Sequence, residues 1–327
     1  MPAPEVDSEP TAKANATSRA MLWVVFVLLF VFSYSEEIIG LLFDLAGFGK
    51  HNDWRTHVGW RLGLLAVEIV ALAVVGLKKR SIERVDGDGP RLWRLWWSGA
   101  AVLIVVDAVL SELPFRPSVW LLVVAAVVIA AAMGVLMTTS LNADPRTLMS
   151  AARRAAQPTD WQRTRAVVPL MVGTFATYIA AIAYTRLIDT DTVRTLPADI
   201  AEQAAALPLA ERLSVLQQVC ENAISPVYFQ HVVEVIPLLL LTLGLEFNYF
   251  RRNLRDPAHR VTTAATVALM SAALVFAMST LPYDGVGCYD VLTDWHEYLA
   301  FVISVQGIFV GLATLVWLLV ASTPDDG

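Results

Sequence analysis

Apolar residues in this chain come in long blocks, and the first block sets the pattern. It runs without a polar residue from Met21 to Phe32, passes through Ser33-Tyr34-Ser35-Glu36-Glu37, and resumes from Ile38 to Phe43. A helix needs about 20 apolar residues to cross a bilayer, so this block is long enough only with both glutamates inside it. Seven further blocks follow, at about 60–77, 95–113, 118–139, 166–187, 231–250, 261–281 and 297–320. They are continuous runs, not amphipathic stripes. The pattern predicts an all-α integral membrane protein, a bundle of about eight transmembrane helices spanning residues 21–321.

The segments between the blocks complete the outline. Residues 1–20 read as a disordered tail, and 322–327 as a second short tail. Residues 44–59, 78–94 and 140–165 read as polar loops, the last two basic, and Leu113-Pro114-Phe115-Arg116-Pro117 reads as a tight turn. Pro169 is expected in the first turn of the fifth crossing. The fourth block is the most uniformly apolar and is expected to face lipid. The connection 188–229 is too polar to cross; within it Leu209, Leu213, Leu216 and Cys220 share one helical face, which predicts a small helical extracytoplasmic cap.

Composition agrees with the pattern. Hydrophobic residues make up 56% of the chain and charged ones 17%, and mean hydropathy is +0.57. A net charge of -6 gives no basis for a nucleic-acid partner. Arginine far outnumbers lysine among much alanine and valine, a usage that suggests a high-GC bacterial source. Acids and bulky residues follow the first apolar run where a signal peptide would carry a small-x-small cleavage site, so a cleaved leader is not expected.

The distribution of basic residues orients the bundle. Lys13 and Arg19 precede the first crossing. Lys78, Lys79, Arg80, Arg84, Arg91 and Arg94 lie between the second and third, Arg146, Arg153, Arg154, Arg163 and Arg165 between the fourth and fifth, and Arg251, Arg252, Arg255 and Arg260 between the sixth and seventh. Those positions fall on one side of an eight-span chain and hold most of its 24 lysines and arginines. The positive-inside rule makes that side cytoplasmic, with both termini there, in the plasma or inner membrane. The same topology puts Cys220 and Cys288 together outside, where disulfides persist.

The candidate chemistry is acidic. Glu36, Glu37, Glu68, Asp107, Glu112 and Glu234 all fall within the predicted crossings, in their outer half and middle. One acidic residue at a bilayer centre costs about 2.5–3.5 kcal/mol on insertion scales. Only Arg61 and Arg186 lie near that depth, so six carboxylates cannot all form ion pairs. The remainder must be protonated, hydrogen-bonded, hydrated in an open cavity or bound to a cation. Adjacent Glu36 and Glu37 point about 100° apart and so face different neighbours. Thr174, Tyr178 and Thr185 line one face of the fifth crossing, and Gly307-x-x-x-Gly311 offers a small-residue packing face in the eighth. His51, Asp53, His57 and His296 are weak candidates for a metal, in no recognised ligand spacing. No phosphate loop, nucleophile elbow, zinc-protease or dinucleotide motif is present, and no cofactor is indicated.

These residues predict a transporter or channel-like protein moving a cation, a proton or a substrate coupled to one through an acid-lined, outward-facing cavity. Two other classes fit the same residues. One is an intramembrane enzyme acting on a lipid or isoprenoid, with a carboxyl as general acid or base. The other is an accessory subunit whose acids meet a membrane partner's basic residues, or those of a second copy. Lipid, a small cation or a proton are the expected ligands.

Cys220 and Cys288 are predicted to form a disulfide that ties the cap to the loop between the last two crossings. Closing a loop of about 70 residues contributes several kcal/mol in the chain-entropy model. Mass spectrometry of non-reduced peptides should find the two cysteines linked; two free thiols would refute the pairing.

Overall fold

The computed structural model describes residues 8–47, 57–86, 92–112, 117–188, 198–208, 211, 212, 215, 223–250, 256–283 and 291–322. Among them there is no strand. The helices are α1 (Ser8–Leu45), α2 (Val58–Asp86), α3 (Trp93–Glu112), α4 (Val119–Ser140), α5 (Ala151–Ala156), α6 (Pro158–Ala183), α7 (Ala198–Ala205), α8 (Pro226–Phe250), α9 (Pro257–Thr280) and α10 (Val291–Ser322). Eight of them, all but α5 and α7, are long and apolar enough to cross a membrane. Each matches one of the apolar blocks. This is the make-up of a multi-pass membrane protein.

Three boundaries differ from expectation. The tail expected to lack structure is helical from Ser8, because its alanines extend a helix that the apolar block already nucleates. α2 continues to Asp86, so Lys78, Lys79, Arg80 and Arg84 are helical residues, not loop residues. α6 starts at Pro158, which takes the first-turn position; Pro169 is therefore internal and removes the helical donor to the Arg165 carbonyl.

Successive crossings alternate in direction. One buried cluster joins Met21, Val75, Trp96, Leu141, Val167 and Ala258, near the arginine-rich segments. Another joins Tyr34, Tyr184, Phe229, Ala277 and Trp295 at the opposite end. α10 packs on α9 and α6, α4 on α6 and α3, α1 on α2 and α9, and α8 on α9 and α10. α1, α6 and α10 are the most buried crossings, and α2, α3 and α8 the least.

The expectation for α4 needs correction. Its first turns are exposed at Trp120 and Val124, but Ala125, Ala126, Ile129, Met133 and Leu136 through Ser140 are buried. A uniformly apolar helix reads as lipid-facing from sequence, yet small residues on several sides let two neighbours approach closely. A Cβ on Gly99 of α3 would lie 3.3 Å from the Ala132 carbonyl oxygen, and one on Gly134 would meet the Met171 sulfur of α6 at 2.3 Å. Glycine serves the same purpose elsewhere. A Cβ on Gly173 would lie 2.0 Å from Val310 Cγ2, and one on Gly307 or Gly311 would meet Ala273 or Met270 of α9 at 2.7 and 2.8 Å. Gly307-x-x-x-Gly311 is thus the seam between α9 and α10.

The arginine-rich end is folded, not loose. Asn142 adopts φ +57° after α4, and Asp144 then caps a 3-10 turn, Pro145–Leu148, by accepting from the Arg146 backbone N–H. The buried Asp144 carboxylate also accepts from Arg146 Nε at 2.9 Å and Arg153 Nη1 at 3.3 Å. Its own N–H donates to Asp160 Oδ2 at 3.2 Å, and Thr147 Oγ1 donates to its carbonyl at 2.8 Å. Arg154 stacks over Trp161 at 4.4 Å, and Arg163 reaches Asp256, the N-cap of α9, at 3.0 Å. Three crossings are tied together by this network.

Two outcomes follow from this packing. Gly173→Ala should destabilise by about 1–3 kcal/mol, because the Cβ would meet Val310, a branched and fully buried side chain. Gly134→Ala should cost less, because the flexible Met171 thioether can turn aside; melting in detergent would rank the two, and the reverse order would refute the reading. At Asp144, burial opposes the charge, but hydrogen bonds from Arg146 and the charges of Arg146 and Arg153 outweigh it and hold its pKa below the ordinary aspartate value. A depressed pKa stabilises the fold above the ordinary value, and that contribution is lost as pH falls through the native one. Asp144→Asn should therefore lower stability by about 1–2 kcal/mol near neutral pH, and its deficit against the wild type should close in acid.

Candidate functional site

The polar interruption in α1 is read by three neighbours, because successive residues point about 100° apart. Along the face toward α10, three contacts form an antiparallel ladder. Trp295 Nε1 donates to Asp44 Oδ2 at 2.8 Å, the Tyr298 hydroxyl donates to Glu37 Oε1 at 3.1 Å, and the buried Tyr34 hydroxyl donates to Gln306 Oε1. Beyond α6, a π-turn over Tyr184–Ile188 places the buried Tyr184 ring edge-on to Tyr298 with centroids 4.9 Å apart. The Tyr178 hydroxyl of α6 donates to the Phe32 carbonyl, where α1 turns polar.

The acids arise from a second rule. α2 buries Leu64, Glu68, Ala71, Leu72 and Val75, a stripe at helical spacing in which Glu68 takes one apolar place. α3 buries Trp96, Ala100 and Leu103, and Asp107 is the next step of that stripe. α1 buries Val25, Leu28, Leu29 and Phe32, and Glu36 follows one turn later. Three helices thus each substitute an acid into the stripe that faces the bundle, and the stripes meet. Glu68 lies within electrostatic reach of Asp107 and Glu36, and Tyr178 within reach of Glu36, Glu37, Asp107 and Glu68. Glu36, Glu37 and Asp107 are half-buried. Glu68 is 2% exposed, and its Oε2 has no hydrogen-bond partner among the described residues. Ser33 Oγ and Gln306 Nε2 are also buried without partners.

The other candidates stand apart from this group. Glu112 pairs with Arg61 at 2.7 Å at an exposed end of α3. Glu234 is exposed, 3.5 Å from His231 on its own helix. Arg186 donates to the Pro117 carbonyl at 3.4 Å. The His57 ring lies against Phe43, centroids 5.2 Å apart, and His296 is hydrogen-bonded to Ser279 at 2.8 Å. His51, Asp53, Cys220 and Cys288 lie outside the described residues, as do Leu209, Leu213 and Leu216 of the expected cap. Of that cap, α7 is described, and Arg212 donates to its terminal carbonyls at Ala204 and Ala205. Among the described residues, no three His, Cys, Asp or Glu side chains are grouped as a metal ion requires.

Sequence reading missed two polar features. One is Gln306, the partner of Tyr34; its signal is the one amide in a crossing whose other interior polar residues are the small Ser304 and Thr314. The other is the pair formed by Lys79, fully buried, with Glu83 at 2.6 Å. Positions 75, 79 and 83 continue the buried stripe of α2 past residue 77, where the apolar block ends. Comparison with family models, curated proteins and solved structures finds no match.

Proposed function

We propose that this protein moves protons, or a small cation or substrate coupled to them, across the cytoplasmic membrane, with Glu68 as the group that binds and releases the proton. The observation that carries this reading is the buried Glu68 carboxyl, whose Oε2 has no hydrogen-bond partner, beside Asp107 and Glu36. A carboxyl at such a depth is sustained only by binding a proton, water or a cation. A proton needs one oxygen, whereas a metal ion needs several converging ligands, and none are grouped among the described residues. Glu36, Glu37 and Asp107 form the acidic relay toward the end that carries Arg61 and Glu112. Tyr178 is the polar neighbour shared by all four acids.

The arginine-rich end is the cytoplasmic one in this reading, on the strength of the lysine and arginine bias. Both termini lie on that side. The segment containing α7 is an extracytoplasmic cap, joined to the α9–α10 loop through Cys220 and Cys288.

Proteoliposomes loaded with a pH-sensitive dye provide the test. Wild-type protein should acidify the lumen under an imposed proton gradient. Glu68→Gln, which keeps size and shape, should lower the rate about tenfold or more while leaving the melting temperature within a few degrees. Tyr178→Phe should lower it less. A Glu68→Gln protein that conducts like the wild type would overturn the proposal, as would a folded wild type with no flux.

A further inference from the structure

α3 opens with three tryptophans, Trp93, Trp96 and Trp97, and they form one wall of a groove of about 530 Å3 between α2 and α3. The floor is apolar, made by Leu72, Ala73, Gly76 and Leu77 of α2. The mouth is cationic, with Arg80 and Arg84 one helical turn apart. The groove also contains an acid, but Glu83 is already neutralised within the wall. Its Oε1 takes the Lys79 ammonium at 2.6 Å, and its Oε2 accepts from Trp93 Nε1 at 2.9 Å. Arg80 and Arg84 are exposed and make no ion pair or hydrogen bond among the described residues. Among the described residues the mouth therefore presents two uncompensated positive charges above an apolar floor.

The groove's depth adds a second constraint. The apolar span of α2 ends at Ser81, and that of α3 begins at Trp93, so the groove straddles the edge of the hydrocarbon layer. Tryptophan favours this depth, and the wall is held in place. Trp96 is buried and donates to Ser140 Oγ at 3.2 Å, with Trp97 edge-on at 4.9 Å between centroids. Gly76 lets α2 lie close to the Trp96 ring; a Cβ there would touch it at 3.4 Å. Trp97 is left exposed along the groove.

We infer that this groove binds an anionic phospholipid of the leaflet at the arginine-rich end. Its phosphate lies between Arg80 and Arg84, and an acyl chain runs along Leu72, Ala73 and Leu77 against Trp97. Each half of the groove excludes a simpler occupant. An apolar helix would cover the floor and leave both guanidinium groups uncompensated. A soluble phosphate would satisfy the arginines and leave the floor wet. A zwitterionic lipid would fill the floor but lack the net charge that the mouth selects.

The test uses the full chain in detergent micelles, titrated with phosphatidylglycerol or phosphatidylcholine and read by native mass spectrometry, with melting to verify the fold. Wild-type protein should retain phosphatidylglycerol in preference to phosphatidylcholine, and soluble glycerol phosphate should not displace it. The double variant R80A/R84A should bind phosphatidylglycerol about tenfold more weakly and lose the preference. Ala73→Phe, which fills the floor and keeps the charges, should weaken both lipids. Equal retention of the two lipids by the wild type would overturn the inference, as would unchanged binding in the double variant. Dimer masses abolished by Ala73→Phe would also overturn it, since a second copy would then occupy the groove.

Discussion

A bilayer core offers no hydrogen bonds, so polar side chains that do not bond back to their own helix, as Thr174 and Thr177 do, look to another helix for a partner. That constraint bears hardest on α1, whose polar interruption, Ser33 to Glu37, lies well inside its apolar span, Arg19–Leu45. α10 engages two of the five interrupting residues, Tyr34 and Glu37. The ladder from Trp295 through Tyr298 to Gln306 matches Asp44, Glu37 and Tyr34 in antiparallel register. Interhelical hydrogen bonds in membranes average about 0.6 kcal/mol, so the ladder contributes about 2 kcal/mol, against about 3 kcal/mol to insert one acid. The polar interruption thus fixes the rotation and depth of α1 against α10. The glycine seam between α9 and α10 brings the backbones together, and the ladder sets their register relative to α1.

What the sequence made legible followed length and period. Eight apolar blocks correspond to eight long helices because the bilayer imposes one length on all of them. Glu36, Glu68 and Asp107 stood out because acids are costly in such blocks, and each continues the buried stripe of its own helix. Boundaries were less legible. α2 was expected to stop at the first lysine, yet a helix does not end at a charge; it ends where capping or packing ends. Lys79 and Glu83 stay helical because they neutralise each other one turn apart, inside a tryptophan wall. The burial of α4 was hidden for the opposite reason. With no polar residue to mark a face, only the close approach at Gly99 and Gly134 reveals that it packs on two sides.

The two ends of the bundle are built differently. The arginine-rich end is closed by Asp144, which gathers Arg146 and Arg153 and donates its N–H to Asp160, and by Asp256, which takes Arg163 and caps the start of α9. Those contacts lie where water can solvate the arginines, so charge pairing there is cheap to maintain. Among the described residues the acids beside α1 have no such array of cations; Arg61 and Arg186, at that end of the bundle, are engaged with Glu112 and the Pro117 carbonyl.

The contrast between Glu83 and Glu68 shows how one helix assigns two roles to the same residue type. Both are buried, both lie on the same stripe of α2, and they are about four turns apart. Glu83 has each oxygen engaged, by a lysine one turn away and by an indole N–H across the groove. Removing its charge would strand Lys79, so its carboxylate is fixed in place by what surrounds it. Glu68 has a buried oxygen with no donor, and the charged groups within its reach are Asp107 and Glu36, which are acids too. A residue kept only for packing would be an apolar one at that position, as Leu64 and Leu72 are on either side. A residue kept to hold a fixed charge would be surrounded as Glu83 is. Glu68 fits neither case, and that contrast is what the proposed proton-binding role rests on.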